Sequence, residues 1–146
     1  MLETRGVYIL VISVRETRRV NVGSLGTLTF KRGLYVYVGS AQNNLEKRIE
    51  RHFKRHKRVF WHIDYLLSDE YAEIINVLFK ESLKSEECRM ARVLSSLYEP
   101  VVGFGSSDCK CPSHLFRINS KEDIKTLLNL FGLNLFKREA GELNES

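Results

Sequence analysis

A chain of 146 residues and 17.0 kDa can bury a core of its own but is too short for two ordinary domains, so one compact domain is expected. Its formal charge of +5 and isoelectric point near 9.2 exclude a surface that repels polyanions, and the cations crowd into residues 47–58, a density suited to phosphate. Three cysteines are too few for a disulfide framework and point to reduced thiols in a cytoplasmic protein, while the apolar run at 7–14 is too short to span a bilayer, so no membrane partner is expected.

In chain order, residues 6–14 (GVYILVISV) are rich in β-branched side chains and read as a buried strand. Val20 and Val22, a turn from Gly23 to Gly26, then Leu28 and Phe30 describe a hairpin with one wet face. The aromatic run LYVYV at 34–38 makes a fourth antiparallel strand before the first helix. It breaks at Gly39, and a polar loop through Asn43 and Asn44 leads into a helix with Leu45, Ile49 and Phe53 at helical spacing. That helix carries Arg48 and His52 one turn apart on one face, and Lys47, Arg51, Lys54, Arg55 and Arg58 make the surface around them positive, a set suited to binding a nucleic-acid backbone. His56 is read as a solvated contributor to the same field.

Residues 61–67 (WHIDYLL) suggest a short helix with Trp61 as an aromatic anchor and His62 and Asp64 on its wet face. Residues 72–79 read as a strand. Ser85 is placed to cap the next helix, with Glu86 and Glu87 in its first turn and Met90, Val93, Leu94 and Leu97 as its apolar stripe. A loop at 101–113 and a strand at 115–118 follow. Ser120 with Asp123 resembles a capping box ahead of Ile124, Leu127, Leu128 and Phe131. The fold class implied is α+β: a single domain over 1–136 with an antiparallel or mixed sheet of about four to six strands, helices packed around it, and a hairpin insertion near 17–33. Residues 137–146 (KREAGELNES) read as a disordered tail.

The strongest chemical constellation is Tyr37 to Gly39 followed by Arg48 and His52. Breaking a phosphodiester requires charge stabilisation at the non-bridging oxygens, an oriented water, and commonly a hard cation held by carboxylates. A guanidinium fork grips phosphate at two points and keeps its charge, so Arg48 meets the first requirement. Tyr8 and Tyr37 are phenols on neighbouring strands, and His52 can exchange a proton near neutral pH. Each side chain taken alone also has an ordinary reading, as a wet strand edge or a solvated helix face.

Gly6-Val7-Tyr8, Tyr37-Val38-Gly39, Arg48 and His52 together resemble the pattern of the GIY-YIG endonuclease superfamily, which includes the nuclease domain of the nucleotide-excision repair incision enzyme and many homing endonucleases. The blocks YVYVGSAQNNLEKRIERHF, WHIDYLL and GFGSSDCKCPSHLF are similar to an archaeal and bacterial subfamily, some of whose members are fused to endonuclease III type DNA glycosylases. The resemblance implies a metal-dependent endonuclease acting on DNA rather than RNA, in repair or recombination, with a functional link to such a glycosylase. It assigns Tyr8 to orienting the attacking water, Tyr37 to the scissile phosphate, Arg48 to transition-state stabilisation and His52 to the site. It also implies one Mg2+ or Mn2+ on a helical glutamate. Met90 or Ala91 occupies the position expected for that acid, so Glu87, about one turn earlier, is the candidate ligand, against a plain reading as a dipole-favoured helix acid. The hairpin between Tyr8 and Tyr37 is longer than in many relatives. A nucleic-acid-binding module that kept the scaffold without efficient catalysis is the alternative reading, and the displaced glutamate argues for it.

Asp108, Cys109, Cys111 and His114 form a second cluster. A closed zinc site needs four ligands and usually a wider cysteine spacing, so the fourth would come from Cys88 or His62. Zn2+ is therefore the less favoured reading, and the loop is expected to pack beside the site and position substrate.

Overall fold

A computed structural model describes residues 4–138 apart from 56 and 108. His56 and Asp108, together with residues 139–146 of the expected tail, thus lie outside the described residues. Its centre is a six-stranded sheet in the order β6-β7-β4-β1-β5-β8, every neighbouring pair antiparallel. β1 (Gly6–Val14) and β4 (Gly33–Ala41) pair along their whole length, and β5 (Ala72–Glu81) covers the other edge of β1. The hairpin of β2 (Arg18–Asn21) and β3 (Thr27–Phe30) forms a small sheet of its own, joined by a 3-10 turn at Gly23–Leu25. Two very short strands, β6 (Glu99–Pro100) and β8 (Asn134–Leu135), complete the sheet and carry too little pattern to be read beforehand.

Alternation along the central strands gives the sheet two different buried faces. One presents Tyr8, Leu10 and Ile12 of β1 and Tyr35 and Tyr37 of β4 to the hairpin, to α1 (Leu45–His52) and to α2 (His62–Leu67). The other presents Val7, Ile9, Val11, Val36 and Val38 to α3 (Ser85–Leu97) and α4 (Glu122–Phe131), which contribute Met90, Leu94, Leu127 and Phe131. An α+β domain with helices on both sheet faces is the expected class.

Local chemistry differs from expectation in five places. α1 ends at His52, so Lys54, Arg55 and Arg58 stand beyond it and not on its surface. Ser85 is the first residue of α3 and makes no side-chain cap, because Lys84 occupies the cap position. Asp64 is fully buried and does not face water. Its carboxylate accepts the backbone N–H groups of Phe60 and Trp61 at 2.8 and 2.9 Å and pairs with Arg51 at 3.0 Å. Arg138, within the stretch expected to be a disordered tail, pairs with Glu50 at 3.2 Å and lies over the Phe53 ring. Lastly, before α4, Lys121 occupies the cap position; the Asp123 carboxylate accepts the Ser120 N–H as a capping box requires, but the Ser120 hydroxyl accepts the Glu122 N–H and not that of Asp123, so only half of the expected box forms.

Candidate active site

β7 (Leu115–Ile118) pairs with β4 only from Leu34 to Tyr37, and one further bond, Val38 N–H to the His114 carbonyl at 2.9 Å, ends the ladder. Beyond that point the edge of β4 is open. A cleft of about 470 Å³ fills the gap, lined by Tyr8 and Tyr37 from one sheet face, Ser40 and Glu87 from the other, and Arg48, Trp61 and His114 around them. It is the place where the two faces of the sheet meet.

Each side chain has a structural reason for its position. Tyr8 stands opposite Gly39 across the β1–β4 pair, and a Cβ at Gly39 would lie 2.5 Å from the Tyr8 ring, so only glycine admits the phenol there. Gly105, at φ +72°, brings the loop backbone against Tyr37 and His114, where a side chain would be both strained and crowded. Phe104 holds that loop down: it is fully buried and packs edge-on against Tyr37, Phe30 and His62. α1 begins with Asn44, whose side chain accepts the Lys47 N–H at 2.9 Å, and this fixes the helix that carries Arg48 and His52.

Arg48 donates to the Ser40 carbonyl at 2.8 Å and lies 4.7 Å from the centre of the Trp61 ring. Arg51 covers the same indole at 4.4 Å, so Trp61 orients two guanidinium groups. Tyr8 and His52 are both 2 % exposed, and Tyr8 Oη shares a 2.7 Å hydrogen bond with His52 Nε2. Burial raises the pKa of both tyrosines, with Arg48 opposing, so both phenols stay protonated. Burial also drives the His52 imidazole down to about 3, with Arg51, Lys57 and Arg48 acting the same way and Asp64 against them. His52 is therefore neutral across the physiological range. Its Nδ1 is buried without a hydrogen-bond partner among the described residues.

Met90 and Ala91, at the positions expected for the acid, are buried in the aliphatic core, whereas Glu87 reaches the cleft. The Ser40 hydroxyl donates to Glu87 Oε1, and His114 Nδ1 lies 2.9 Å from Oε2. Burial disfavours the carboxylate, but His114, Ser40 and Lys84 outweigh burial and its pKa falls below the ordinary value, so Glu87 is ionised. Ser40 and Trp61 were not singled out as site residues from the sequence. Their signals were faint: a serine directly after the Tyr-Val-Gly run, and an aromatic shortly after the basic segment.

Of the five cations read as a backbone-binding surface, Lys47, Lys54, Arg55 and Arg58 are exposed, but Arg55 is engaged by protein. Arg51 is held bidentately by Asp64, and Arg55 bonds the carbonyls of Leu67, Asp69 and Ala72 at 2.9 to 3.0 Å, tying the segment after α1 to the start of β5.

Beside the cleft, the ligand atoms of Cys88, Cys109, Cys111 and His114 all lie within 4.8 Å of one another, a group able to hold a metal ion. The other candidate fourth ligand, His62, is elsewhere, accepting the Gly105 N–H at 2.9 Å through Nδ1. Burial opposes a thiolate at Cys109, but donors from Cys111 and His114 outweigh it and lower its pKa, while burial and its thiol neighbours push Cys111 up to about 12.

No helix among the described residues is long and apolar enough to cross a membrane. Neither the curated proteins nor the solved structures contain a match to the chain. One family model does match, over residues 7–135, and so takes in β1 to β8 but for Gly6, and every side chain of the cleft. By that match the chain belongs to the family described as domain of unknown function DUF123.

Proposed function

We propose that the cleft is the active site of a GIY-YIG-like endonuclease that hydrolyses phosphodiester bonds in DNA with one Mg2+ or Mn2+, in a reducing, cytoplasmic setting. The observation that carries this reading is the convergence of Tyr8, Tyr37, Arg48 and one ionised carboxylate, Glu87, on a single cleft. The residues fit the cation. Mg2+ commonly binds through one or two protein carboxylates with substrate phosphate and water supplying the rest, and Glu87 remains 18 % exposed. A bound cation would lend Lewis-acid stabilisation to the charge that develops on phosphate.

The chain's own side chains do the remainder. Arg48, braced by the Ser40 carbonyl and the Trp61 ring, offers a fixed positive fork to the non-bridging oxygens. Tyr37 stands at the cleft wall as a neutral hydroxyl donor. Tyr8, held by its 2.7 Å hydrogen bond to His52 Nε2, can orient the attacking water. Exposed Lys47, Lys54 and Arg58 contribute a salt-sensitive attraction to the backbone. Phe60, 76 % exposed beside Trp61, suits stacking on a base.

A second reading, nucleic-acid binding without cleavage, draws support from Glu87 itself, since Ser40 and His114 already engage both of its oxygens. Glu87→Gln separates the two. The nuclease reading expects cleavage of plasmid DNA with Mg2+ or Mn2+ to be lost while DNA affinity stays within about twofold. Wild-type protein that binds DNA as tightly as the variant and cuts no better than it supports the binding module. A fusion or functional partnership with an endonuclease III type glycosylase would place the reaction in repair.

A further inference from the structure

We propose that Cys88, Cys109, Cys111 and His114 form a closed tetrahedral site for one Zn2+, and that Glu87 couples this centre to the neighbouring cleft by orienting His114. Three sulfurs and an imidazole are a soft donor set that selects zinc over the hard cations proposed for the cleft. In a tetrahedron with Zn–S near 2.3 Å and Zn–N near 2.0 Å, ligand atoms stand roughly 3.5 to 3.8 Å apart. The four ligand atoms here lie within 4.8 Å of one another, and Cys109 Sγ is 3.3 Å from His114 Nε2, so small side-chain movements close the shell. All three thiols are free.

The imidazole supplies an independent argument. Nε2 of His114 faces the thiols, and Nδ1 faces Glu87 Oε2 at 2.9 Å, with the Val38 carbonyl at 3.3 Å. A metal-bound histidine characteristically donates its second ring N–H to a carboxylate, which sets the tautomer and the ring plane. That arrangement is present before any metal is considered. The backbone holds it as well: His114 N–H donates to the Phe104 carbonyl at 2.8 Å, and its carbonyl accepts from Val38.

The consequence is mechanical. Cys88 belongs to the first turn of α3, the other three ligands to the loop leading into β7, and the loop between Val101 and His114 makes one wall of the cleft through Gly105 and Cys109. Zinc would clamp that wall to α3, and the carboxylate that steadies His114 is the one that faces the cleft. A narrow Cys-x-Cys spacing, which by itself argues against a closed site, is satisfied because Cys88 arrives from a different element.

The centre stands on metal affinity and not on the reaction proposed above, so its test is independent of cleavage. Protein purified with reductant and without chelator should carry one zinc per chain by elemental analysis, and its three cysteines should resist a thiol reagent until a strong chelator is added. Replacement by Co2+ should give thiolate charge-transfer bands with the intense visible bands of tetrahedral cobalt, and Cys111→Ser should lose them. Glu87→Ala should weaken Zn2+ binding about 10- to 100-fold in competition with a chromophoric chelator. Should Cys111→Ser fail to fold, the wild-type thiol titration and cobalt spectrum decide alone. Wild-type thiols that react equally with and without zinc, or an octahedral cobalt spectrum, would overturn the site. Unchanged zinc affinity in Glu87→Ala would overturn the coupling. Zinc held by a protein that cuts no nucleic acid upholds the centre and removes the reaction.

Discussion

The two faces of the central sheet are made from the same strands, yet they bury different chemistry. The α3–α4 face is aliphatic almost throughout, with Val7, Ile9, Val11, Val36 and Val38 meeting Met90, Leu94, Leu127 and Phe131. The α1–α2 face buries two phenols of the cleft, Tyr8 and Tyr37, with His52 against both rings, and Asp64 is buried on the same side in α2. Burying polar groups costs free energy unless they are paired, and here one, His52 Nδ1, lacks a protein partner among the described residues. Both faces bury large apolar clusters, but only the aromatic face also carries the polar groups that line the cleft.

Arg48→Ala should have the largest effect, lowering the cleavage rate about 10²- to 10³-fold, near 3 to 4 kcal/mol, with little change in thermal midpoint. A comparable loss of stability in this variant, seen by denaturant titration, would instead make Arg48 a structural brace for Ser40 and Trp61. Next is the reverse case. Leu127 is fully buried on the aliphatic face, and Leu127→Ala should cost about 2 to 5 kcal/mol of stability. Per folded molecule its cleavage rate should match the wild type, and a large rate defect would show that the two faces are not separable.

Smaller is the pH effect of His52. Its folded-state pKa is depressed from 6.5 to about 3, so the unfolded chain binds a proton that the native chain refuses, and stability falls as pH drops below about 6.5. The slope should approach 1.4 kcal/mol per pH unit at most. Between pH 6.5 and 5 the ionised carboxylates still hold their charge in both states, so His52→Gln should flatten this limb. The groups facing His52 are Tyr8, Tyr37, Trp61, Asp64, Arg48, Arg51 and Lys57, and none of them changes charge in that window. Parallel limbs for variant and wild type would contradict the burial argument. Smallest of all, Lys47→Ala and Lys54→Ala should each reduce the salt slope of DNA binding by about 0.9, read from affinity at several salt concentrations. No change in slope would move the backbone contact elsewhere on the surface.

How much of this was legible in the sequence follows from the range of the interactions. The β-branched runs and the stripe of α3 are local signals, and they place the long strands and α3, whereas the end of α1 and the two-residue strands β6 and β8 carry no such signal. Tyr8, Tyr37, Arg48 and His52 were legible as positions because their motif lies on adjacent elements. Asp64 was misread, since a carboxylate on a short helix looks solvated until the partner it meets, Arg51, is brought from another helix. Glu87 was legible only as a candidate: its reach depends on the angle at which α3 crosses the open end of β4. The meeting of Cys88 with Cys109, Cys111 and His114 was legible only as one of two options, Cys88 or His62 for the fourth position, because the choice depends on how α3 packs against the loop before β7.

The central claim, that this cleft hydrolyses phosphodiesters, is tested most directly by incubating the purified protein with Mg2+ or Mn2+ and a panel of plasmid, flap, bubble, abasic and single-stranded DNA. Cleavage of at least one substrate by the wild type, falling about 10²-fold or more in Tyr8→Phe, is the predicted result. No cleavage of any substrate, with DNA binding unchanged in Arg48→Ala, would contradict it.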